Sequence, residues 1–146
     1  DWMRPKRGDW SARLEDEVLA APGSVVLVAH SLGCILVAAW AAHSRHTARV
    51  RAAFLVVPGD LERDDLRQMI PGWAPIVRQP LPFPALMVAA NDDPYCEASR
   101  ARGMAADWGA RFVDRGPGGH LNGDSGLGDW PEGRALLNDF LNDNQD

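Results

Sequence analysis

Residues 24–40 read Ser24-Val25-Val26-Leu27-Val28-Ala29-His30-Ser31-Leu32-Gly33-Cys34-Ile35-Leu36-Val37-Ala38-Ala39-Trp40, and this stretch sets the fold class. Residues 24–29 form a valine-rich apolar run, the pattern of a strand buried on both faces in a parallel sheet. Residues 32–43 are rich in alanine and leucine with apolar side chains all round, so a buried helix is expected directly after the strand.

Outward from this pair the alternation repeats. Residues 52–57 read as a second strand closed by Pro58-Gly59. Residues 85–90 read as a third, introduced by Pro80, Pro82 and Pro84, which cannot donate to a central ladder. A helix is expected over 97–108, a short fourth strand over 110–114, and a closing helix over 131–141 with Pro131 in its first turn. Residues 14–19, with Glu15, Asp16 and Glu17, fit an amphipathic helix ahead of the first strand. Strands separated by helices imply right-handed crossovers, hence an α/β domain of about four parallel strands with helices on both faces. Residues 71–84 hold five of the eleven prolines together with Trp73 and Phe83. They are expected as an ordered extended loop or small cap in preference to a mobile linker.

At 146 residues the chain has room for one core. Its hydrophobic share of 46% and charged share of 24% exclude disorder, collagen-like repeats and coiled coils. A net charge of −5 without a basic stripe argues against a nucleic-acid partner. No apolar run reaches the roughly 18 residues of a membrane span. The residues from Asp1 onward lack the pattern of a signal peptide, so a cytoplasmic location is expected. Cys34 and Cys96 have no CxxC spacing and read as reduced, buried thiols, with neither a disulfide nor a metal site expected. His43 and His46 are spaced to grip a metal, but no third ligand lies nearby.

Ligands of parallel sheets bind beyond the carboxyl ends of the strands. After the first strand, Ala29-His30-Ser31-Leu32-Gly33 is small-x-Ser-x-Gly at a strand-to-helix junction, where a tight turn lifts a serine hydroxyl clear of the backbone. The Leu32 N–H then lies at a helix N-terminus, aimed at a developing oxyanion. A bare helix cap is the competing reading of Ser31. After the third strand come Asp92 and Asp93, and after the fourth comes His120 on a glycine-rich loop. Serine, acid and histidine thus appear in the order of a hydrolytic triad, each beyond its own strand. His120 would take the Ser31 proton, and an aspartate would fix its tautomer. Asp92 and Asp93 compete for that role. Asp93 is favoured because Pro94 fixes the turn after it, Asp92 serving as a cap of the next helix, and Asp60 is the runner-up acid. His30 is expected to point away from Ser31. Of six tryptophans, Trp2, Trp10 and Trp73 lie in connections and are expected to line a small acyl pocket.

The segments His30-Ser31-Leu32-Gly33-Cys34, Asn91-Asp92-Asp93-Pro94-Tyr95-Cys96 and Gly119-His120-Leu121-Asn122-Gly123-Asp124-Ser125-Gly126-Leu127-Gly128-Asp129-Trp130-Pro131 resemble the small serine hydrolases of the YdeN and retinoblastoma-binding-protein-nine type, within the α/β-hydrolase superfamily. The resemblance spans essentially the whole chain. It implies the triad Ser31, Asp93 and His120, no metal, no organic cofactor, and hydrolysis of small esters, thioesters or amides. It also implies two strands upstream, the first ending in a Pro-Gly loop that supplies a second oxyanion N–H. Neither is present here, so residues 1–146 are expected to be an N-terminally truncated α/β-hydrolase domain with an exposed apolar edge on its nucleophile strand. The alternative is a non-catalytic domain of the same fold that binds a protein partner. Nucleotide binding lacks its glycine fingerprint after the first strand.

Overall fold

The structure is a computed structural model that describes residues 6–117 and 131–144. Helix α1 (Arg7–Ala20) precedes strand β1 (Val25–Ser31), and α2 (Leu32–His43) follows without an intervening loop. Then come β2 (Val50–Pro58), the short α3 (Asp64–Met69), β3 (Ala85–Ala89), α4 (Ala98–Trp108), β4 (Arg111–Asp114) and α5 (Pro131–Asp143). The strands form one four-stranded sheet in the order β1-β2-β3-β4, every neighbour parallel. Phe54 stands between Val28 of β1 and Leu86 of β3, and Met87 lies beside Phe112 of β4.

Right-handed crossovers that step the same way across a sheet place their helices on the same face. The packing follows this rule. Leu27, Ala29, Ala53, Leu55, Met87 and Ala89 meet Val18 of α1, the α2 side chains, Leu66 of α3, and Met104 and Trp108 of α4 in one core. The other face, carrying Ala52, Phe54, Val56, Leu86 and Val88, is covered by Phe140 of α5 with Leu136, Leu137 and Leu141 at its margin. Helix α2 is apolar all round because α1 lies over the side turned from the sheet: Cys34, Ile35, Val37, Ala38, Ala39 and Trp40 are all buried. Glu15 ties the pair together, its Oε1 accepting from Trp40 Nε1 at 3.1 Å and Ser44 Oγ at 2.7 Å. The Ser44 hydrogen bond, chiefly, holds the Glu15 carboxyl below its ordinary value.

Three expectations change. The valine-rich β1 is not buried on both faces: Leu27 and Ala29 face the core, but Val28, on the α5 side, is 65% exposed. As an edge strand β1 lacks a second neighbour among the described residues, and α5 centres its cover on β2 and β3. The first helix runs from Arg7, a full two turns earlier than its acidic segment suggests, and α3 was not foreseen at all. Residues 70–84 are irregular but packed, consistent with the ordered-loop reading. Trp73, Ile76 and Phe83 enter the core, Leu81 N donates to Trp108 O at 2.9 Å, and Trp108 Nε1 donates to Val77 O at 2.7 Å. Among the described residues no helix is long and apolar enough to cross a membrane.

Candidate active site

In an all-parallel sheet the carboxyl ends of the strands share one rim, and Ser31 closes β1 on that rim. Its backbone lies at φ 58° and ψ −116°, a combination that residues with a Cβ rarely adopt and that costs about 1–3 kcal/mol. The surrounding chain imposes it. Strand pairing holds Ser31 up to its last residue, α2 begins at the next, and Gly59 N donates to Ser31 O at 3.4 Å. Close approach explains the small neighbours: a Cβ on Gly33 would stand 3.4 Å from Ala29 Cβ. The side chain of Ser31 makes no capping hydrogen bond to α2.

Strand β2 answers with an irregularity of its own. The β1–β2 register slips so that His30 faces Val56 while Ser31 faces Pro58. The skipped residue, Val57, takes φ 44°, an outlier for a β-branched side chain. The bulge brings Gly59 up to the serine, where a Cβ would lie 3.5 Å from Ser31 Oγ and 3.2 Å from Leu61 Cδ2. A side chain there would need Leu61 to shift by a few tenths of an ångström.

Beyond β3, Asp93 is half-buried, and its Oδ1 accepts from Tyr95 N at 2.8 Å, folding the turn on itself. The turn is pinned to the β2–α3 connection: Asp60 N donates to Tyr95 O at 3.0 Å, and Arg63 Nη1 donates to Pro94 O at 2.7 Å. Asp60 itself, only 6% exposed, is held bidentate by Arg100 through Nε at 2.9 Å and Nη2 at 2.8 Å. The same guanidinium reaches Glu62 Oε1 at 2.6 Å, and Glu62 Oε2 accepts from Ile76 N at 3.0 Å. Burial pushes the Glu62 carboxyl up, but these hydrogen bonds and the charges of Arg100 and Arg78 outweigh it and leave it below its ordinary value. The runner-up acid is therefore already engaged in an ion pair. Asp92 does not cap α4, whose N-cap is Glu97. Arg63 and Arg100 were not singled out from sequence, since nothing local marks a guanidinium that reaches a partner some 31 to 40 positions away.

Both cysteines are buried as expected. Burial raises the Cys34 thiol, which donates to Val56 O at 3.5 Å. Burial, then the charges of Asp60 and Asp93, push the Cys96 thiol up to about 12. Neither supplies a thiolate near neutral pH. His46 Nδ1 lies 3.3 Å from Glu15 Oε2, on the far end of α2 from Ser31.

A cleft of about 230 Å³ opens at Ser31, lined by Leu32, Gly59, Leu61, Leu66, Met69, Ile70 and Tyr95. Of the expected tryptophans, Trp10 and Trp73 do not line it. Trp73 is fully buried, with Trp10 packed edge-on against it at 5.8 Å. A larger cleft of about 510 Å³ lies among Glu62, Arg67, Pro71 and Pro75 and does not include Ser31; the smaller one is the cleft that reaches Ser31. Trp2, His120 and the glycine-rich loop lie outside the described residues.

An all-parallel sheet helix-covered on both faces, with a serine at the junction of β1 and the next helix, is the fold of the α/β hydrolases. The chain belongs to the serine hydrolase family, whose model matches residues 1–139. Among solved structures it is similar to a YdeN-like hydrolase of Pectobacterium atrosepticum, at 26% identity and a TM-score of 0.80, covering 96% of this chain and 71% of that one. It is also similar to the ydeN gene product of B. subtilis (21% identity, TM-score 0.78, 95% of this chain and 77% of that one). An esterase of Pyrococcus furiosus aligns at 12% identity and a TM-score of 0.66, over 94% of this chain and 61% of that one. The last two likenesses are of fold. No curated protein sequence matches the chain.

Proposed function

We propose that this hydrolase cleaves small esters, thioesters or amides through an acyl-enzyme on Ser31, with His120 as the base, Asp93 as its orienting acid and the Leu32 N–H in the oxyanion hole. The observation that carries the reading is the backbone of Ser31, at φ 58° and ψ −116° beside an open apolar cleft. A structural serine gains nothing from such strain, whereas a nucleophile needs its hydroxyl clear of the strand. The family match and the hydrolase relative from P. atrosepticum support it.

In the first step Ser31 Oγ bonds to the carbonyl carbon while its proton passes to His120. Negative charge on the carbonyl oxygen is met by the Leu32 N–H, reinforced by the first turn of α2. The bond to the leaving group then breaks, and His120 returns the proton to the departing alcohol, thiol or amine. Water attacks the acyl-enzyme by the same route, giving its proton to His120 and releasing the acid, and Ser31 regains its hydrogen. Replacing Ser31 by alanine is expected to lower kcat on p-nitrophenyl butyrate by at least about 10⁴-fold without unfolding the protein. Retained turnover in that variant contradicts the proposal.

A further inference from the structure

We infer that the cleft beside Ser31 receives the acyl chain of the substrate and selects short, uncharged acyl groups of about four to six carbons, an inference that rests on Ser31 being the nucleophile. Ser31 lines the cleft together with Leu32, Leu61 and Ile70. Among the described residues no charged side chain lines it. The ionic groups of the adjoining segment are turned to one another instead, Arg63 to Asp65 and Arg100 to Asp60 and Glu62.

The mouth is marked by side chains that water does not favour. Leu19, Val28, Met69 and Tyr95 are the large hydrophobics left exposed among the described residues, and Met69 (69%) and Tyr95 (41%) both belong to this cleft. Two exposed apolar groups meeting at one opening are a contact surface for an apolar ligand. Size narrows the ligand further. At about 230 Å³ the cleft exceeds an apolar cavity of ~150 Å³ that accepts benzene. It stays below the ~300 Å³ at which pockets for drug-sized ligands begin. The occupant is assigned as the acyl side because that is the group joined to Ser31 Oγ in the acyl-enzyme, and the cleft opens at that serine.

The test is the chain-length dependence of kcat/KM for p-nitrophenyl esters from acetate to decanoate, with the hemisuccinate as a charged control and a series of alkyl acetates varying the alcohol. The wild-type value is expected to rise at least roughly tenfold from acetate to hexanoate, as buried methylenes add binding, and to fall beyond about six carbons. The hemisuccinate is expected to lie at least about tenfold below the butyrate. Met69→Trp, on an exposed side chain and therefore safe for folding, is expected to lower the hexanoate-to-acetate ratio by about fivefold or more. A flat acyl profile, or one that follows the alcohol chain instead, overturns the inference while a fluorophosphonate probe still modifies Ser31. Failure of the probe to modify Ser31 contradicts the nucleophile reading, and the inference falls with it.

Discussion

The turns that carry Ser31 and Asp93 share one rim of the sheet but are held by different physics. Around Ser31 the constraints are steric and local: an unfavourable backbone angle, a valine bulge on the neighbouring strand, and glycines where a methyl group would crowd Ala29 or Leu61. Around Asp93 they are electrostatic and long-range. Arg100 reaches back from α4 to a buried Asp60 whose backbone N–H holds the turn, and Arg63 grips the Pro94 carbonyl. A turn held by sterics should respond to side-chain volume, and one held by ion pairs should respond to charge and pH.

The largest expected effect is on the acid. If Asp93 is the proposed triad acid, Asp93→Asn removes the charge that stabilises the imidazolium and is expected to cost about 10⁴-fold in kcat, with Asp92→Asn within about threefold of wild type. If the two results exchange places, the triad acid is Asp92 and the two-turn contrast moves with it.

Next in size is the ion-pair network. Arg100→Met leaves Asp60 buried without its cation, which costs about 2–4 kcal/mol in urea unfolding once the partial exposure of Arg100 is allowed for. Glu62 is held below its ordinary value by the same guanidinium, so its stabilising contribution is complete above the unfolded value near ~4.3 and is lost as pH falls through the lower folded value. The gap between wild type and Arg100→Met should therefore narrow below about pH 4. A gap independent of acid pH would break the electrostatic half of the comparison.

The smallest effect tests the steric half. Gly59→Ala places a methyl 3.2 Å from Leu61 Cδ2 and 3.5 Å from Ser31 Oγ. Roughly tenfold lower kcat/KM is expected, with stability changed by about 1 kcal/mol or less. A variant as active as wild type would show that the approach to Ser31 does not need glycine.

The same contrast explains what was legible in the sequence. The β1–α2 junction could be read because its requirements are local: a small residue two before the serine, another two after, and a change of apolar pattern at Ser31. The four parallel strands were legible for the same reason, each being a short apolar run bounded by turn residues. The exposed Val28 was not, because burial of a strand depends on what lies beside it in space. Helix α3, at six residues, is too short to show a period. Arg63 and Arg100 act on partners distant in sequence, and Trp10 and Trp73, expected at a pocket because they fell between the expected elements, pack on each other, Trp73 in the core and Trp10 against it. The strands and the β1–α2 junction were therefore legible, while most of the residues that brace the turns beyond the strands were not.

The central claim, that the strain at Ser31 presents a nucleophile, is tested most directly by treating the protein with a fluorophosphonate probe and locating the adduct by peptide mass spectrometry. One phosphonyl group on Ser31, absent from Ser31→Ala, is the expected result. Modification at another residue, or equal labelling of Ser31→Ala, would contradict it.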